Sequence, residues 1–546
     1  MTYSFNLVDQ PWIPCLALDA GTPRDVSLRD ALVNAHELRE IAGASPLVTL
    51  SLHRLLLAVL HRVFGPADAV AWNALWAAGH FDPIRIDAYL DRWRDRFDLF
   101  DTSHPFYQAA SIVPVTWHSA AKLAHELSSG NNAVLFDHHV DSKRTVLSPA
   151  EAARCLVAYQ TVSFGGTISL QSTEASSFKH AKDAPIARSI VFLVHGDSLE
   201  QTLLLNLHQY HEPSEAPFKG QGADAPAWER ESETSADSRY PSGYLDILTW
   251  QSRRIRLLPA QDEVGPVTVS EVSVMKGESF PEGYDLHGKD PMLAFRKHEK
   301  TNATWPWSPL TFRADRLLWR DSAVFLQVSG SLHARPRMLT WLAEVDRRSS
   351  SPLNLHALAL VAKSGHNKPE FWRHERLPLP QAYLHDDKAL FDELRAAVDV
   401  AEDAGRLLGA GGPFARCAED LGIIKPKPNG ALNSQDRDRL KDFVCGRGAG
   451  RHYWAAIDLP FRSLMEQLPG DATTDAYGDP TYGATQRPVW AGAVRQAAWT
   501  AFHTGVDGLY ASPRGIKAVA IAESDFTWRL SKIIGAYTAQ EKEVTA

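Results

Sequence analysis

The chain has 546 residues, 44% of them hydrophobic and 22% charged, with a formal net charge of −8 and a pI near 6.3. That length calls for more than one domain, and that composition is an ordinary globular one with enough apolar residues for a sizeable core. The acidic balance excludes a polyanion binder that uses its whole surface but leaves room for a local basic groove. Four scattered cysteines (Cys15, Cys155, Cys417, Cys445) contain no CxxC pair, so no zinc ribbon, haem attachment or disulfide framework is indicated.

In chain order, residues 3–16 read as a strand broken at Gln10-Pro11. No basic segment followed by an apolar one opens the chain, and no run of about 18 consecutive apolar residues occurs, which makes a cytoplasmic protein the default expectation. Ser27 caps a short helix with Asp30 three residues on. Ser45-Pro46 opens an amphipathic helix that ends at Gly65, its stripe made by Leu52, Leu55, Leu56, Val59, Leu60 and Val63. His53, Arg54, His61 and Arg62 flank that stripe and read as a solvated or partner-facing edge. Asp82-Pro83 starts another helix, running to Phe97.

The best-signalled stretch is 128–166. A long loop with an apolar tip (Ala133 to Phe136) and cationic Lys143-Arg144 leads to a helix whose cap is Ser148, with Pro149 at the first turn and Glu151 completing a capping box. Phe164-Gly165-Gly166 ends it, where glycines free the backbone for positive φ or for close approach to a ligand. The loop reads either as a binding element or as a core-anchored connector. Cys155 reads as a small core residue.

Residues 189–207 read as strand, turn and helix. Residues 211–239 carry seven Asp/Glu against three Lys/Arg among Pro, Gly and Ser, and read as a mobile surface loop or insertion. Residues 267–330 suggest short strands with turns at 281–283 and 287–289, and a hairpin around Val274 with Lys276 on a strand and Lys289 at a turn. No GxGxxG, P-loop, HExxH or GxSxG is present. Residues 362–376 read as a turn joining two domains, with Phe371 and Trp372 at an interface, or as a cationic and aromatic wedge beside a base step. Beyond Pro380, helical patterns separated by Gly/Pro-rich connectors predict a bundle of about four helices. The fold class is thus α+β: a mixed α/β domain over 1–378 and a C-terminal four-helix bundle over 379–546.

Two functional classes compete on the residues alone. His385-Asp386 is similar to the dyad of metal-dependent phosphohydrolases, but there Asp386 and Asp387 also suit a helix cap and first turn. Asp137-His138-His139 offers metal-ligand types without distant partners. For nucleic-acid binding, 413–453 carries eight Lys/Arg against five Asp/Glu, and Lys425, Lys427, Arg447 and Arg451 are candidate phosphate contacts. A solvated face explains the same charges.

Taken together, FNLVDQPWIP (5–14), SLRDAL (27–32), HELREIAGASPL (36–47), HPFYQ (104–108), NNAVLF (131–136) and FGG (164–166) resemble the CasA family, the large subunit of type I-E CRISPR Cascade surveillance complexes. The resemblance spans essentially the whole chain. It implies a non-catalytic subunit that reads the protospacer-adjacent motif in duplex DNA from the minor groove, promotes duplex opening and R-loop formation, and recruits a helicase–nuclease. Guide RNA, double-stranded target DNA and the backbone, small and 5′-end-capping subunits are the partners it implies, with no membrane, cofactor or metal.

Carried over by motif, Phe164, Gly165, Gly166 and Lys276 correspond to the groove-reading elements. Asn367, Lys368 and Pro369 correspond to the wedge, although the family's Gln followed by a small residue is missing here. Asn131, Asn132, Leu135, Phe136, Asp137 and His138 correspond to the loop that anchors on guide RNA and a neighbouring subunit. Phe136 or Leu135 stands at the tip. A cysteine cluster that some relatives carry near 250–265 is lacking, so no zinc is implied.

Overall fold

Helix starts follow their capping signals. The computed structural model describes residues 3–19, 21–114, 116–125, 145–168, 170, 179–209, 218, 223–261, 265–298, 306–326, 332–345, 353–362, 369–427, 429–475 and 477–539. They divide into two compact units: residues 1–316 with 324–376, and 317–323 with 377–546.

In the first unit, β1 (Ile13–Ala17) is the middle of an antiparallel sheet between β2 (Arg24–Val26) and β3 (Leu38–Ile41). The entry strand is therefore shorter than the sequence suggests and begins after the Gln10-Pro11 break. Ser27 caps the helix Leu28–Val33 by accepting from the Asp30 N–H.

Helix α1 (Pro46–Val63) is capped by Ser45, with Pro46 in its first turn. Its surroundings differ from expectation. His53, Arg54 and His61 are buried, at 1%, 1% and 2% exposure, rather than forming an edge. The helix is long and apolar enough to cross a membrane, and 78% of it is buried inside the protein. Packed on all sides, it takes polar groups into the core. Arg54 pairs there with Asp290 at 2.9 Å, and His53 Nδ1 meets the Thr49 carbonyl at 2.8 Å. One amphipathic stripe read from sequence cannot reveal a second packed face.

Helix α2 (Pro149–Val162) packs against α1. Its capping box is complete: the Ser148 side chain accepts from the Glu151 N–H, and Glu151 accepts from the Ser148 N–H at 2.8 Å. The short strands β4 (Gly166–Thr167) and β5 (His180–Ala181) then pair antiparallel. Strand β6 (Val191–His195) follows. Residues 223–239 are strapped down rather than free: Trp228 is buried against Phe97 and Tyr107, and Arg230 and Arg239 form ion pairs with Asp246 and Glu278. The acids of this stretch come with arginines and an aromatic anchor, which composition alone hides.

Strands β7 (Arg253–Ala260) and β8 (Thr268–Lys276) form an antiparallel pair, and β5 lies against β8. Lys276 thus closes a hairpin with the strand before it, not with 277–289. The segment 369–376 is also not a linker. It belongs to β10 (Pro369–Leu379), which follows β9 (Leu353–Ala362) in a sheet ordered β10-β9-β6.

In the second unit, four long helices pack together: α3 (Lys388–Leu407), α4 (Ala449–Gln467), α5 (Gln486–Val506) and α6 (Pro513–Ala539). Shorter helices Pro413–Asp420 and Ser434–Arg447 accompany them. Large rings fill the centre. The Trp490 indole N–H donates to the Ala397 carbonyl and the Tyr453 hydroxyl to the Ala401 carbonyl, both at 2.8 Å, so these side chains bury area without stranding a donor.

Candidate nucleic-acid interface

The site is built where α2 ends. Gln160 sits on the apolar face of that helix, one row on from Ala153, Leu156 and Val157, and is 1% exposed. Its amide bonds entirely inside the protein. Nε2 donates to the carbonyls of Tyr107 (3.3 Å) and Arg253 (2.8 Å), and Oε1 accepts the Arg253 N–H (2.9 Å). Arg253, at 2% exposure, turns its guanidinium inward and donates to the carbonyls of Ser252 (2.7 Å) and Phe164 (2.8 Å). Burial lowers its pKa, opposed by the Tyr159 hydroxyl and the Asp183 carboxylate. His125 stacks on Tyr159, and burial, aided by the Arg253 cation, pulls its pKa down to about 4.

The turn is held from its other side by Asp183. That carboxylate accepts the Gly165 N–H at 2.5 Å and pairs with Arg188 at 2.5 Å, while the Arg188 guanidinium lies over the Phe164 ring, 4.8 Å from its centre. The two glycines do different work. A Cβ on Gly165 would come within 2.7 Å of the Ala181 carbonyl oxygen and 3.0 Å of the Asp183 nitrogen, so Gly165 is required by the protein's own backbone. Gly166 has φ +157° and, among the described residues, nothing within 4 Å of where a Cβ would stand. Only Gly166 therefore presents bare backbone outward.

Lys276 is drawn to the same neighbourhood by the β7–β8 register, in which it stands opposite Arg253. The Lys276 carbonyl also accepts from Arg254 Nε at 2.7 Å. One arginine pair thus fixes both the glycine turn and the lysine-bearing strand end.

A family description, CRISPR-associated protein Cse1, matches residues 6–501. The chain belongs to the CRISPR-associated Cse1 family. Among Cse1 relatives, the CRISPR-associated protein CasA/Cse1 of Thermus thermophilus is 31% identical over 539 residues, covering 96% of each chain. The crystal structure of Cse1 from Acidimicrobium ferrooxidans superposes with a TM-score of 0.80 at 25% identity, over 98% of this chain and 99% of that one. A chain of a solved CRISPR RNA-guided surveillance complex shares the fold with a TM-score of 0.74 at 22% identity, over 96% of this chain and 99% of that one. The resemblance to CasA and the α+β fold class are both established by these matches.

The other candidate site residues, whether carried over by resemblance or read from local charge, are placed unevenly. Asn131, Asn132, Leu135, Phe136, Asp137 and His138 lie outside the described residues, as do Asn367 and Lys368; Pro369 opens β10. Lys425, Lys427 and Arg451 are exposed, whereas Arg447 is half-buried with its guanidinium 5.1 Å from the Phe443 ring centre. His385 and Asp386 are exposed at the start of the second unit. Asp387, rather than Asp386, is the cap of α3: it accepts the Leu390 N–H at 3.0 Å and bonds the Tyr482 hydroxyl. Among the described residues no group of three or more His, Cys, Asp and Glu is placed to hold a metal ion.

Sequence reasoning missed Gln160, Asp183, Arg188 and Arg253. For Gln160 a signal existed, since a lone amide in the apolar row of a well-capped helix asks for buried partners. For Arg253, one of three arginines in the run Arg253-Arg254-Ile255-Arg256, nothing local marks which one turns inward.

Proposed function

We propose that this chain is the large, non-catalytic subunit of a type I-E Cascade surveillance complex and that it reads a short motif in duplex DNA through the minor groove. Phe164, Gly165, Gly166 and Lys276 form the reading element. Asn367, Lys368 and Pro369 form the wedge at the first opened step, and Asn131 to His138 anchor the subunit on guide RNA and its neighbours. Lys425, Lys427, Arg447 and Arg451 contribute phosphate contacts. Residues 1–378 carry the reading and anchoring functions, and 379–546 form a bundle domain. The helicase–nuclease is recruited after the R-loop forms.

The observation that carries this reading is the pairing of Gly166, open on its outer side, with the Lys276 strand end through Arg253 and Arg254. A minor groove about 6 Å wide admits bare backbone and a single long donor but no bulky side chain. Base pairing with a guide carries most of the sequence information in such complexes, so the protein has only a short motif to read.

The test is target binding by the reconstituted complex across a randomised motif, with the parent chain and with Lys276→Ala. Loss of discrimination at motif positions by about 10-fold or more, equivalent to the roughly 1–3 kcal/mol carried by a good base contact, is expected. Identical motif profiles for parent and variant would overturn the assignment.

A further inference from the structure

We propose that the exposed side chains of the β4–β5 ribbon and its flank, Lys179, His180 and Lys182, form a phosphate-contact surface for the backbone of the duplex whose groove Gly166 enters. The inference rests on the groove-reading role proposed above and extends it to residues that no motif marks.

In the ribbon's register Gly166 stands opposite Ala181 and Thr167 opposite His180. Ala181 is buried, while Thr167, Lys179, His180 and Lys182 are exposed. The ribbon therefore turns Ala181 to the protein and Thr167 and His180 outward, next along the chain to Gly166, with Lys179 and Lys182 exposed on either side. Between 179 and 188 the chain carries three Lys/Arg (Lys179, Lys182, Arg188) against one acid, Asp183. That acid is already engaged by Arg188 and by the Gly165 N–H. Among the described residues no carboxylate pairs with Lys179 or Lys182. On a chain of net charge −8, two exposed cations with no acid partner among the described residues, close in the chain to the Gly166 turn, form a local positive patch.

A duplex edge is the occupant that fits. Backbone that approaches a groove floor brings its flanking residues level with the phosphates on either side, and lysines there position the protein without reading bases. Neither lysine is buried, so removing them leaves the core intact.

The experiment measures target-duplex binding by the reconstituted complex between about 50 and 200 mM salt, for the parent, Lys179→Ala/Lys182→Ala, and Lys276→Ala. Removing one lysine–phosphate pair lowers the slope of log K against log salt by about 0.9. For the double variant, the fold-weakening across that fourfold salt range is expected to shrink by about 12-fold, with an unchanged motif profile. An unchanged slope overturns the proposal. So does a defect that appears as loss of guide RNA from the complex rather than of target. If Lys276→Ala leaves the motif profile intact while the double variant flattens the slope, the groove reading fails and the phosphate surface stands. The reverse result removes the phosphate surface alone.

Discussion

Arg253 is a buried cation to which, among the described residues, no carboxylate is bonded; carbonyl oxygens hold it instead. Its function follows from that geometry: the guanidinium spans from Ser252 to the Phe164 carbonyl, and its main chain is clamped by Gln160. Arg253→Met keeps the stem but strands both carbonyls in the interior, at a cost of about 1–3 kcal/mol. Arg253→Lys keeps the charge but, with a single ammonium, cannot span both. Denaturant midpoints should therefore fall for both variants. In the assembled complex motif discrimination should weaken while the salt slope stays constant, because no phosphate contact is removed. A Met variant as stable as the parent would show that the turn is fixed by Asp183 and Gln160 without the guanidinium. Gly165 and Gly166 belong to the same scale. Their identity was legible as a turn, but which glycine faces outward was not. That depends on the backbone at 181–183, which is remote in sequence from the turn.

At the level of elements, caps were legible and burial was not. Ser27, Ser45, Asp82 and Ser148 all cap as their local patterns require, because a cap is a contact between residues two or three apart. Helix α1 shows the opposite. His53 and His61 looked like an edge, yet burial holds their pKa values down at about 4 and about 3. His61 packs edge-on against His208 and Tyr244, and His53 lies near His195 and Glu40.

Both rings are neutral in the folded protein, whereas in the unfolded chain they take up protons below about pH 6.5. As pH falls from about 6.5 towards 4 the unfolded state binds more protons, so stability drops by about 1.4 kcal/mol per pH unit for each such histidine. Glu40, held low first by its hydrogen bond to His195, adds its own loss only below the usual carboxylate range. Denaturation midpoints measured at pH 7, 6 and 5 should fall, and more steeply between pH 6 and 5 than between pH 7 and 6. His61→Phe should flatten the slope by about 1.4 kcal/mol per unit, and parallel parent and variant curves would place the sensitivity elsewhere.

For the whole molecule, the informative feature is a short segment that leaves one unit to complete the other. Leu317–Ala323 belongs with the helical unit although the strands around it belong to the first. No composition shift marks it, so a single cut near 378 was the natural sequence reading; the change from strand-like to helix-like periodicity there is real, but the intruding turn is too short to carry a period. Its weight is carried by Trp319, fully buried. The ring stacks on Phe461 at 4.0 Å and meets Trp490 edge-on, and the indole N–H donates to Asp458 at 3.2 Å. Arg320 follows with a two-pronged pair to Glu402 (2.8 and 2.7 Å) and lies over Trp454 at 3.6 Å. A fragment beginning at 379 would leave the Trp319 slot empty and Glu402 without its Arg320 partner. Truncating a buried tryptophan of this kind costs about 3–5 kcal/mol. Trp372, 43% exposed on β10, should cost within about 0.5 kcal/mol when removed. Helical circular dichroism followed through denaturant should accordingly show a large loss for Trp319→Ala in the full chain and almost none for Trp372→Ala. The fragment 379–546 should unfold at a lower midpoint than the helical unit of the parent. Equal midpoints for the fragment and the intact chain would mean that the bundle closes without the segment, and that the boundary near 378 is the physical one.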